Sequence, residues 1–397
     1  MIARNGYLNE LIGFKDKHLI KILTGIRRCG KSTLFELYQD YLMKNGVGEE
    51  QIISINFEDI DFEELQNYKA LYNYLKDRLI PDKMNYIFLD EIQNVTKYQK
   101  AVDSLFIKKN VDLYLTGSNA YLLSGEIATL LSGRYVEIKM LPLSFKEYVS
   151  AFSDKTDLSR KYTNYLTNSS FPYTLEINDD KKRIKEYLDG IYNTVVLKDI
   201  MARKKINDVF MLEAVIRFMF DNIGNLCSMK KITDTMTSDG RKISIHTVES
   251  YLSGLVDSYI LYKVGRYDIK GKQYLKNGEK YYLADIGLRY YLLGSKKADM
   301  GHILENIVYL ELLRRDYEIY IGKVGNAEVD FIAINDKGIE YYQVALTVRD
   351  DATLKRELAS LNSILDHNSK YLITLDDDPP TSHNGIHQIN AIDWLLT

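Results

Sequence analysis

The 397-residue chain is poor in cysteine, proline and long apolar runs, and each shortage excludes a class of protein. Its two cysteines, Cys29 and Cys227, are too few for a disulfide framework or a four-ligand zinc site, which favours a reducing, cytoplasmic setting. The 5 prolines exclude long proline-rich linkers. No run of about 18 uncharged apolar residues occurs, and the first residues lack the apolar core of a signal peptide, so we expect no membrane association.

Charge of one sign is also lacking, since the formal net charge is −3 and the isoelectric point is about 6.1. No protein-wide basic field therefore draws the chain to nucleic acid. What is present is typical of a globular protein, because 46% of the residues are hydrophobic and 27% are charged. The length predicts about two to four domains. We interpret the 32 tyrosines first as packing residues and second as a stacking surface for nucleic-acid bases.

Short apolar segments alternate with helical patterns through the first third of the chain. The predicted strands are 19–25, 52–59, 84–93, 111–119 and 135–145. Strands that alternate with helices form a parallel sheet with both faces covered, so we expect an α/β fold. Ligands of such sheets bind at the carboxyl ends of the strands, which directs attention to the loops that follow them.

The first of these strands runs into a glycine-rich loop, GIRRCGKST. Residues 25–32 fit the spacing G-x-x-x-x-G-K-[ST], in which the glycines let backbone amides surround phosphate oxygens. We expect Lys31 to reach the β- and γ-phosphates of ATP and the Ser32 hydroxyl to hold Mg²⁺. The positive end of the following helix points at the same anion. The candidate nucleotide-binding residues are Gly25, Ile26, Arg27, Arg28, Cys29, Gly30, Lys31, Ser32 and Thr33.

Two acids close the third predicted strand. Asp90 would hold Mg²⁺ through water, and Glu91 would orient and deprotonate the water that attacks the γ-phosphate. The alternative is a solvated acidic strand end, but the pairing with the Lys31 motif favours catalysis. The guanine-specific pattern N-K-x-D is absent from the sequence, which favours ATP over GTP.

Two further polar residues are candidates for catalysis. The segment TGSNA follows the fourth strand, and Asn119, or else Thr116 or Ser118, would contact the γ-phosphate or the water. An asparagine turn explains the same residues equally well. Arg134 precedes the fifth strand and would stabilise transition-state charge on the ATP of a neighbouring subunit. Its alternative role is that of a surface arginine at a helix end.

Five stretches together resemble the AAA+ superfamily: GIRRCGKSTLF, INFED, YIFLDEIQ, LTGSNAYLLS and LSGRYVEIKMLPLSFKEY. They resemble more closely the bacterial and archaeal ATPases that carry a C-terminal domain of unknown function, and the resemblance covers nearly the whole chain. It implies an ATPase that acts as a homo-oligomer or as a signal-dependent switch, with winged-helix and nuclease-like modules appended. The predicted domains are an AAA+ P-loop core (1–152), a helical connector or lid (153–200), a winged-helix-like domain (201–300) and a nuclease-like domain (301–397).

The predicted winged helix is locally basic. Its predicted elements are helices at 209–223, 229–236 and 244–260 and a hairpin at 260–285. We expect the hairpin turn near Asn277-Gly278. Residues 201–300 hold 17 basic and 11 acidic residues, a net charge of +6, so we expect a DNA contact through 241–280. The alternative is a module that packs on the ATPase. The basic residues are Arg241, Lys242, Lys263, Arg266, Lys270, Lys272, Lys276 and Lys280.

The nuclease-like segment resembles the PD-(D/E)xK fold. It orders an amphipathic helix with Glu305, a strand with Asp330 and a second strand. Such nucleases hold Mg²⁺ on two carboxylates and activate water with a lysine, but Gln343 and Ala345 occupy the places of the second carboxylate and the lysine. Glu328 lies on the same strand face as Asp330. We predict an inactive module that binds a protein partner, while a purely structural role explains the acids as well.

These features predict an ATPase that uses hydrolysis to drive or switch an action on nucleic acid or on a partner protein. One alternative is an ATP-switched DNA-binding regulator with slow hydrolysis. Another is an ATP-dependent nuclease, which the departures at Gln343 and Ala345 oppose. Stimulation of hydrolysis by nucleic acid would separate a motor from a slow switch.

Overall fold

The computed structural model describes residues 2–123, 131, 133–177, 180–294 and 299–397. The chain forms two compact units. Unit 1 comprises Met1–Pro142 with Asp257–Tyr259, and unit 2 comprises Leu143–Val256 with Ile260–Thr397. Across the described residues, no helix is both long and apolar enough to cross a membrane.

Unit 1 is built on a five-stranded sheet in which each neighbouring pair of strands is parallel. The strands are β1 (Ile20–Thr24), β2 (Ile52–Asn56), β3 (Asn85–Asp90), β4 (Val111–Gly117) and β5 (Tyr135–Lys139), in the order β2-β3-β4-β1-β5. They alternate with helices α1 (Asn5–Gly13), α2 (Lys31–Lys44), α3 (Tyr68–Lys76) and α4 (Tyr98–Phe106). The predicted α/β fold of the P-loop type is confirmed.

The three central strands β3, β4 and β1 are buried along their whole length. Strands covered on both faces appear in a sequence as nearly continuous apolar runs, which is why they are recognisable there. Leu89 and Leu113 pack in a core with residues of α3 and α4. Because all five strands are parallel, their carboxyl ends lie at one edge of the sheet, where Thr24, Asp90 and Gly117 end β1, β3 and β4.

Unit 2 contains an eight-stranded sheet of mixed direction. Its strands are β6 (Leu261–Asp268), β7 (Gln273–Leu283), β8 (Glu318–Val324), β9 (Ala327–Asn335), β10 (Gly338–Val344), β11 (Ser369–Thr374), β12 (Thr381–His383) and β13 (Ile386–Asn390), in the order β12-β13-β11-β10-β9-β8-β6-β7. The helices are α5 (Phe145–Ser150), α6 (Leu158–Asn168), α7 (Lys181–Ile191), α8 (Asp199–Lys204), α9 (Val209–Asp221), α10 (Met229–Ser238), α11 (Ile245–Asp257), α12 (Ile286–Leu293), α13 (Met300–Arg314), α14 (Asp351–Asn362) and α15 (Ala391–Leu396). A π-helical segment, Tyr192–Lys198, joins α7 to α8.

Strands β6 and β7 form the predicted hairpin, but the turn expected near Asn277-Gly278 was wrong. The turn spans residues 269–272, and Asp268 Oδ1 closes it by accepting two backbone N–H groups at 3.1 and 3.0 Å. A turn closed by an aspartate competes with one built on an asparagine-glycine pair. Gly278, with φ +87°, lies instead in β7, where the pairing with β6 shifts. Since β6 also pairs with β8, the hairpin and residues 301–397 contribute strands to one sheet.

Helix α13 is buried along most of its length. Residues 303–312 are buried without interruption, because the helix packs against β7, β8, β9, β10 and α15. The prediction of an amphipathic helix was therefore wrong for this stretch. Glu305 is buried as a consequence, and a buried carboxylate needs partners that compensate its charge.

Candidate nucleotide site

The loop between β1 and α2 is shaped for an anion. Helix α2 begins at Lys31, and its N-cap Gly30 has φ +102° and no capping side chain. The first N–H groups of the helix are therefore left uncapped by a side chain, which is the arrangement that binds phosphate. At Gly25, with φ +147°, an added Cβ would lie 2.1 Å from the Met140 carbonyl oxygen, so only glycine fits.

Lys31 lies inside this loop. Its side chain is 4% exposed, and Nζ donates to the carbonyl oxygens of Gly25 (3.0 Å) and Ile26 (3.3 Å). The nearest carboxylate oxygen in its ion pair, Glu91 Oε1, is 3.8 Å away. The ammonium is therefore held mainly by neutral groups, and its charge is available to an anion.

Both predicted acids lie at the end of β3, and Thr116 orders them. Its Oγ1 donates to Asp90 Oδ1 and accepts the backbone N–H of Glu91 at 2.8 Å. Glu91 has φ +52°, a left-handed conformation that costs energy for a residue with a side chain. Ser118 Oγ donates to Glu91 Oε2 at 3.0 Å. The structure thus brings Lys31, Asp90 and Glu91 together, as the motifs predicted.

Gln93 is a site residue that sequence reasoning missed. It lies in the short 3₁₀ turn Ile92–Asn94, and its Nε2 donates to Glu91 Oε2. Its own Oε1 is buried, and among the described residues no group donates to it. The turn folds Gln93 back onto the residue two positions earlier, a contact that the sequence pattern D-E-I-Q does not reveal.

Asn119 makes a different contact from the one proposed for catalysis. Its Oδ1 accepts the backbone N–H of Leu122 at 3.2 Å, which caps the 3₁₀ turn Ala120–Leu123. The two alternatives, Thr116 and Ser118, are the residues of this segment that contact the acids.

Arg134 lies at the other end of the sheet. It immediately precedes β5, whose first residue, Tyr135, pairs with Ile20 at the start of β1. Its exposed guanidinium forms an ion pair with Asp103 on α4. Within one chain, Arg134 is therefore not brought to the loop, and its action on a neighbouring subunit stays a prediction.

The other loop residues differ in exposure. Arg27 pairs with Glu58, while Arg28 is exposed and has φ +68°. The Ser32 side chain is exposed at the start of α2, and Thr33 is half-buried. Ile26 is buried and contributes its carbonyl oxygen to Lys31.

Arg4 holds the loop through a hydrogen bond to its backbone, and it is a second site residue that the sequence analysis did not identify. It is buried, and its Nη1 donates to the Cys29 carbonyl oxygen at 3.0 Å while Nη2 donates to that of Leu141 at 2.7 Å. Burial raises the pKa of the Cys29 thiol, so this cysteine is a packing residue rather than a reactive one.

In unit 2, the acids predicted for a nuclease-like site are also brought together, but around a lysine. Lys280 Nζ contacts Glu305, Glu328 and Asp330. Its assignment to a DNA-contacting basic surface was therefore wrong, because this ammonium is buried among carboxylates. Gln343, in the place of the missing carboxylate, donates through Nε2 to Glu357 at 2.9 Å. Among the described residues, no group of three or more His, Cys, Asp or Glu side chains has the geometry of a metal site.

The glycine-rich loop, the two acids and the parallel sheet define the class of protein: a P-loop nucleoside triphosphatase. A family model described as an AAA domain matches residues 17–149, and a domain of unknown function (DUF8612) matches residues 159–299. The chain belongs to the family of AAA-domain ATPases that carry this C-terminal domain of unknown function. The resemblance seen in the sequence is thereby confirmed.

Relatives in two distant organisms extend over nearly the whole chain. An uncharacterized protein of Haemophilus influenzae is 40% identical over 400 residues, which cover 100% of this chain and 99% of that one. An uncharacterized protein of Methanocaldococcus jannaschii is 30% identical over 384 residues, 90% of this chain and 82% of that one. Among solved structures, the Walker-type ATPase of Pyrococcus abyssi matches with a TM-score of 0.51 at 17% identity, covering 74% of this chain and 96% of that one. The structural match supports the fold alone.

Proposed function

We propose that the protein binds ATP at the loop of unit 1 and hydrolyses it, with Mg²⁺, to drive or switch an action on nucleic acid or on a partner protein. The observation that carries the proposal is the position of Lys31. Its buried ammonium lies in an uncapped phosphate-binding loop and within 3.8 Å of a fixed carboxylate, Glu91. That is the combination that phosphoryl transfer to water requires.

The residues present suit a magnesium ion. The exposed Ser32 hydroxyl at the start of α2 and the Asp90 carboxylate at the end of β3 are hard oxygen donors, which Mg²⁺ prefers. The loop between β1 and α2 leaves room for phosphate, since Gly25 has no Cβ and no side chain caps α2. When bound, the ion would neutralise charge on the phosphates.

Each residue of the candidate site has a distinct role in this proposal. Lys31 balances the charge of the β- and γ-phosphates. Glu91 accepts a proton from the attacking water, and Ser118 and Gln93 hold its carboxylate in one orientation. The contacts favour Ser118 over Asn119 as the polar residue nearest the water, since the Asn119 oxygen caps its own turn.

Glu91→Gln tests hydrolysis directly. We expect ATP to bind as before and phosphate release to fall by about 10²–10⁴-fold, because general-base help is lost while size and polarity are kept. The matched control is Glu64→Gln, which changes an exposed acid of the same unit. Normal turnover by Glu91→Gln would place the base elsewhere.

The proposal includes an assembly of identical subunits, in which Arg134 has a role. Because it lies at the far edge of its own sheet, the proposal assigns it to the γ-phosphate of a neighbouring subunit. Mixing Arg134→Ala with Lys31→Ala protein should restore part of the activity, since each supplies what the other lacks. A mixture of Lys31→Ala with Glu91→Gln, which disable the same site, is the control. No rescue, together with a monomeric mass in the presence of ATP, would discard the role.

The proposed target surface for DNA is the exposed basic part of 241–280. Arg241 and Lys242 precede α11, and Lys270 and Lys272 lie in the hairpin turn. A motor on DNA should show phosphate release that rises with DNA and loses this response on charge reversal of these residues. Lys355→Glu, which changes an exposed lysine of α14, is the control. Unstimulated, slow hydrolysis would favour the alternative, an ATP-switched DNA-binding regulator.

A further inference from the structure

A buried lysine occupies the point on which three carboxylates of unit 2 converge. The Lys280 side chain is 5% exposed. Its Nζ lies 2.9 Å from Glu305 Oε1, 2.9 Å from Glu328 Oε1 and 3.9 Å from Asp330 Oδ1. The lysine comes from β7, and the acids come from α13 and β9, so the contact joins three elements of the fold.

The remaining groups around the cluster support the acids rather than the lysine. The Tyr282 hydroxyl donates to Glu305 Oε1 at 2.6 Å, and the Val344 N–H donates to Asp330 Oδ2 at 2.8 Å. His302 Nδ1 lies 3.5 Å from Glu305 Oε2, and Arg266 Nη2 lies 4.0 Å from Glu328 Oε2. Every carboxylate is therefore oriented, and the oxygens that face inward share the Lys280 ammonium.

As they stand around Lys280, these acids do not form a metal site among the described residues. We propose that the Lys280 ammonium takes the place of a divalent metal ion in this nuclease-like centre, and that the acids can close around Mg²⁺ or Mn²⁺ only when the ammonium is removed. A metal ion held by these acids would need Glu305 Oε1 and Asp330 Oδ1, the oxygens that face Nζ. Two cations cannot share that position, since both charge and volume conflict. The lysine is thus a built-in cation that keeps the acids together.

The chemical consequence is a centre without an activated water. Phosphodiester cleavage in such a fold needs a metal ion that lowers the pKa of a bound water. Lys280 cannot polarise a water in that way while its protons are committed to carboxylates. The native centre should therefore stabilise the sheet and α13 without cleaving nucleic acid. This inference concerns unit 2 and does not depend on the proposed ATPase activity.

Manganese binding tests the proposal on the full-length, nucleotide-free protein. Bound Mn²⁺ is counted by electron paramagnetic resonance in native protein, in Lys280→Ala and in Lys280→Ala combined with Asp330→Asn. We expect Lys280→Ala to gain one site per chain, at least about tenfold tighter than any site of native unit 2, and the added Asp330→Asn to remove it. Lys263→Ala is the matched control, because Lys263 lies in the same hairpin and forms a solvent-accessible ion pair with Glu279.

Two results would overturn the proposal. One is a Mn²⁺ ion on native protein that Asp330→Asn removes, especially with metal-dependent cleavage of DNA that the same substitution abolishes. The other is a folded Lys280→Ala protein with no site beyond that of Lys263→Ala. If Lys280→Ala fails to fold, Lys280→Met keeps the side-chain length for the same measurement, and the comparison of native protein with Asp330→Asn remains decisive.

Discussion

Two of the lysines that the protein buries beside carboxylates, Lys31 and Lys280, differ in what holds the ammonium. In unit 1, Lys31 donates to two backbone carbonyl oxygens and lies 3.8 Å from Glu91. In unit 2, Lys280 lies 2.9 Å from each of two carboxylates and 3.9 Å from a third. Neutral carbonyl groups do not cancel the charge of an ammonium group, whereas carboxylates neutralise it. The first arrangement can receive a phosphate, and the second is complete as it stands.

The comparison also separates a site built from one contiguous segment from one built across the fold. Lys31 is positioned by the loop that contains it, because Gly25 and Gly30 have the left-handed backbone that the loop requires. Lys280 is positioned by α13 and β9, which are remote in sequence. We therefore expect substitution at Lys280 to affect folding and substitution at Lys31 to affect binding.

The largest expected effect is the loss of stability in Lys280→Met. Removal of the cation leaves Glu305 buried beside Glu328 and Asp330, and breaking a buried pair in this way costs about 3–5 kcal/mol. The free energy of unfolding is measured by urea titration of the full chain, with ATP affinity as the second readout. A loss below about 1 kcal/mol, as expected for Lys263→Met at its exposed pair, would contradict the cluster's role.

The pH dependence of that loss follows from two pKa shifts. Burial lowers the pKa of Lys280, but Glu305, Asp330 and Glu328 together raise it above the ordinary 10.5. Its contribution is thus fully present below pH 10.5 and is lost as the pH rises through the higher folded value. Burial raises the pKa of Glu305, but Lys280 and hydrogen bonds from His302 and Tyr282 lower it below the ordinary 4.5. Its contribution is present above that value and is lost as the pH falls.

Asp330 acts in the opposite direction, since burial and Glu305 raise its pKa well above the ordinary value. It therefore favours the folded state at low pH, in which it is protonated. Combining the three shifts, we expect the stability difference between native protein and Lys280→Met to be largest between about pH 5 and 10 and to shrink at more acid pH. A difference that stays constant down to pH 3 would mean that the ion pair with Glu305 contributes nothing.

A smaller effect, on binding alone, is expected for Lys31→Ala. Loss of a charge-assisted contact to phosphate costs about 2–3 kcal/mol, which corresponds to an ATP affinity about 30- to 150-fold lower. Stability to urea should change little in comparison with Lys280→Met, because the hydrogen-bond acceptors of Lys31 are neutral carbonyl groups and its single carboxylate partner, Glu91, is 3.8 Å away. Calorimetric titration with ATP measures the affinity, and Lys44→Ala, an exposed lysine at the end of α2, is the control. Equal affinity in both variants would show that the loop is misinterpreted.

The same contrast explains how far the sequence could predict the structure. The loop, Asp90 and Glu91 were predictable because their spacing lies within single strand-loop-helix units. Arg4 contacts Cys29 across 25 residues of chain, and Lys280 contacts Glu305 across 25 as well. No local pattern encodes those contacts, since they depend on how strands and helices pack. The hairpin turn was missed for a local reason, because the Asp268 side chain closes a turn with no asparagine-glycine pair.

The smallest expected effect concerns how Glu91 is held. In unit 2 a cation orients Glu305, but in unit 1 the neutral groups of Gln93 and Ser118 orient Glu91. A neutral hydrogen bond contributes about 0.5–1.5 kcal/mol, so Gln93→Ala should lower kcat by only about two- to tenfold. The Michaelis constant for ATP should not change, because Gln93 contacts the base rather than the phosphate loop.

The neighbouring residue of the same turn provides the control for Gln93→Ala. The Asn94 side-chain amide donates to the Phe57 carbonyl oxygen at 3.3 Å, and its backbone N–H donates to the Glu91 carbonyl oxygen at 3.1 Å, a bond that alanine keeps. Asn94→Ala should therefore leave kcat close to that of native protein. Phosphate release over a range of ATP concentrations separates kcat from the Michaelis constant in both variants. Equal effects of the two substitutions would mean that the turn as a whole, rather than the Gln93 amide, positions Glu91. A fall in kcat as large as that of Glu91→Gln would mean that Gln93 itself contacts the reacting water.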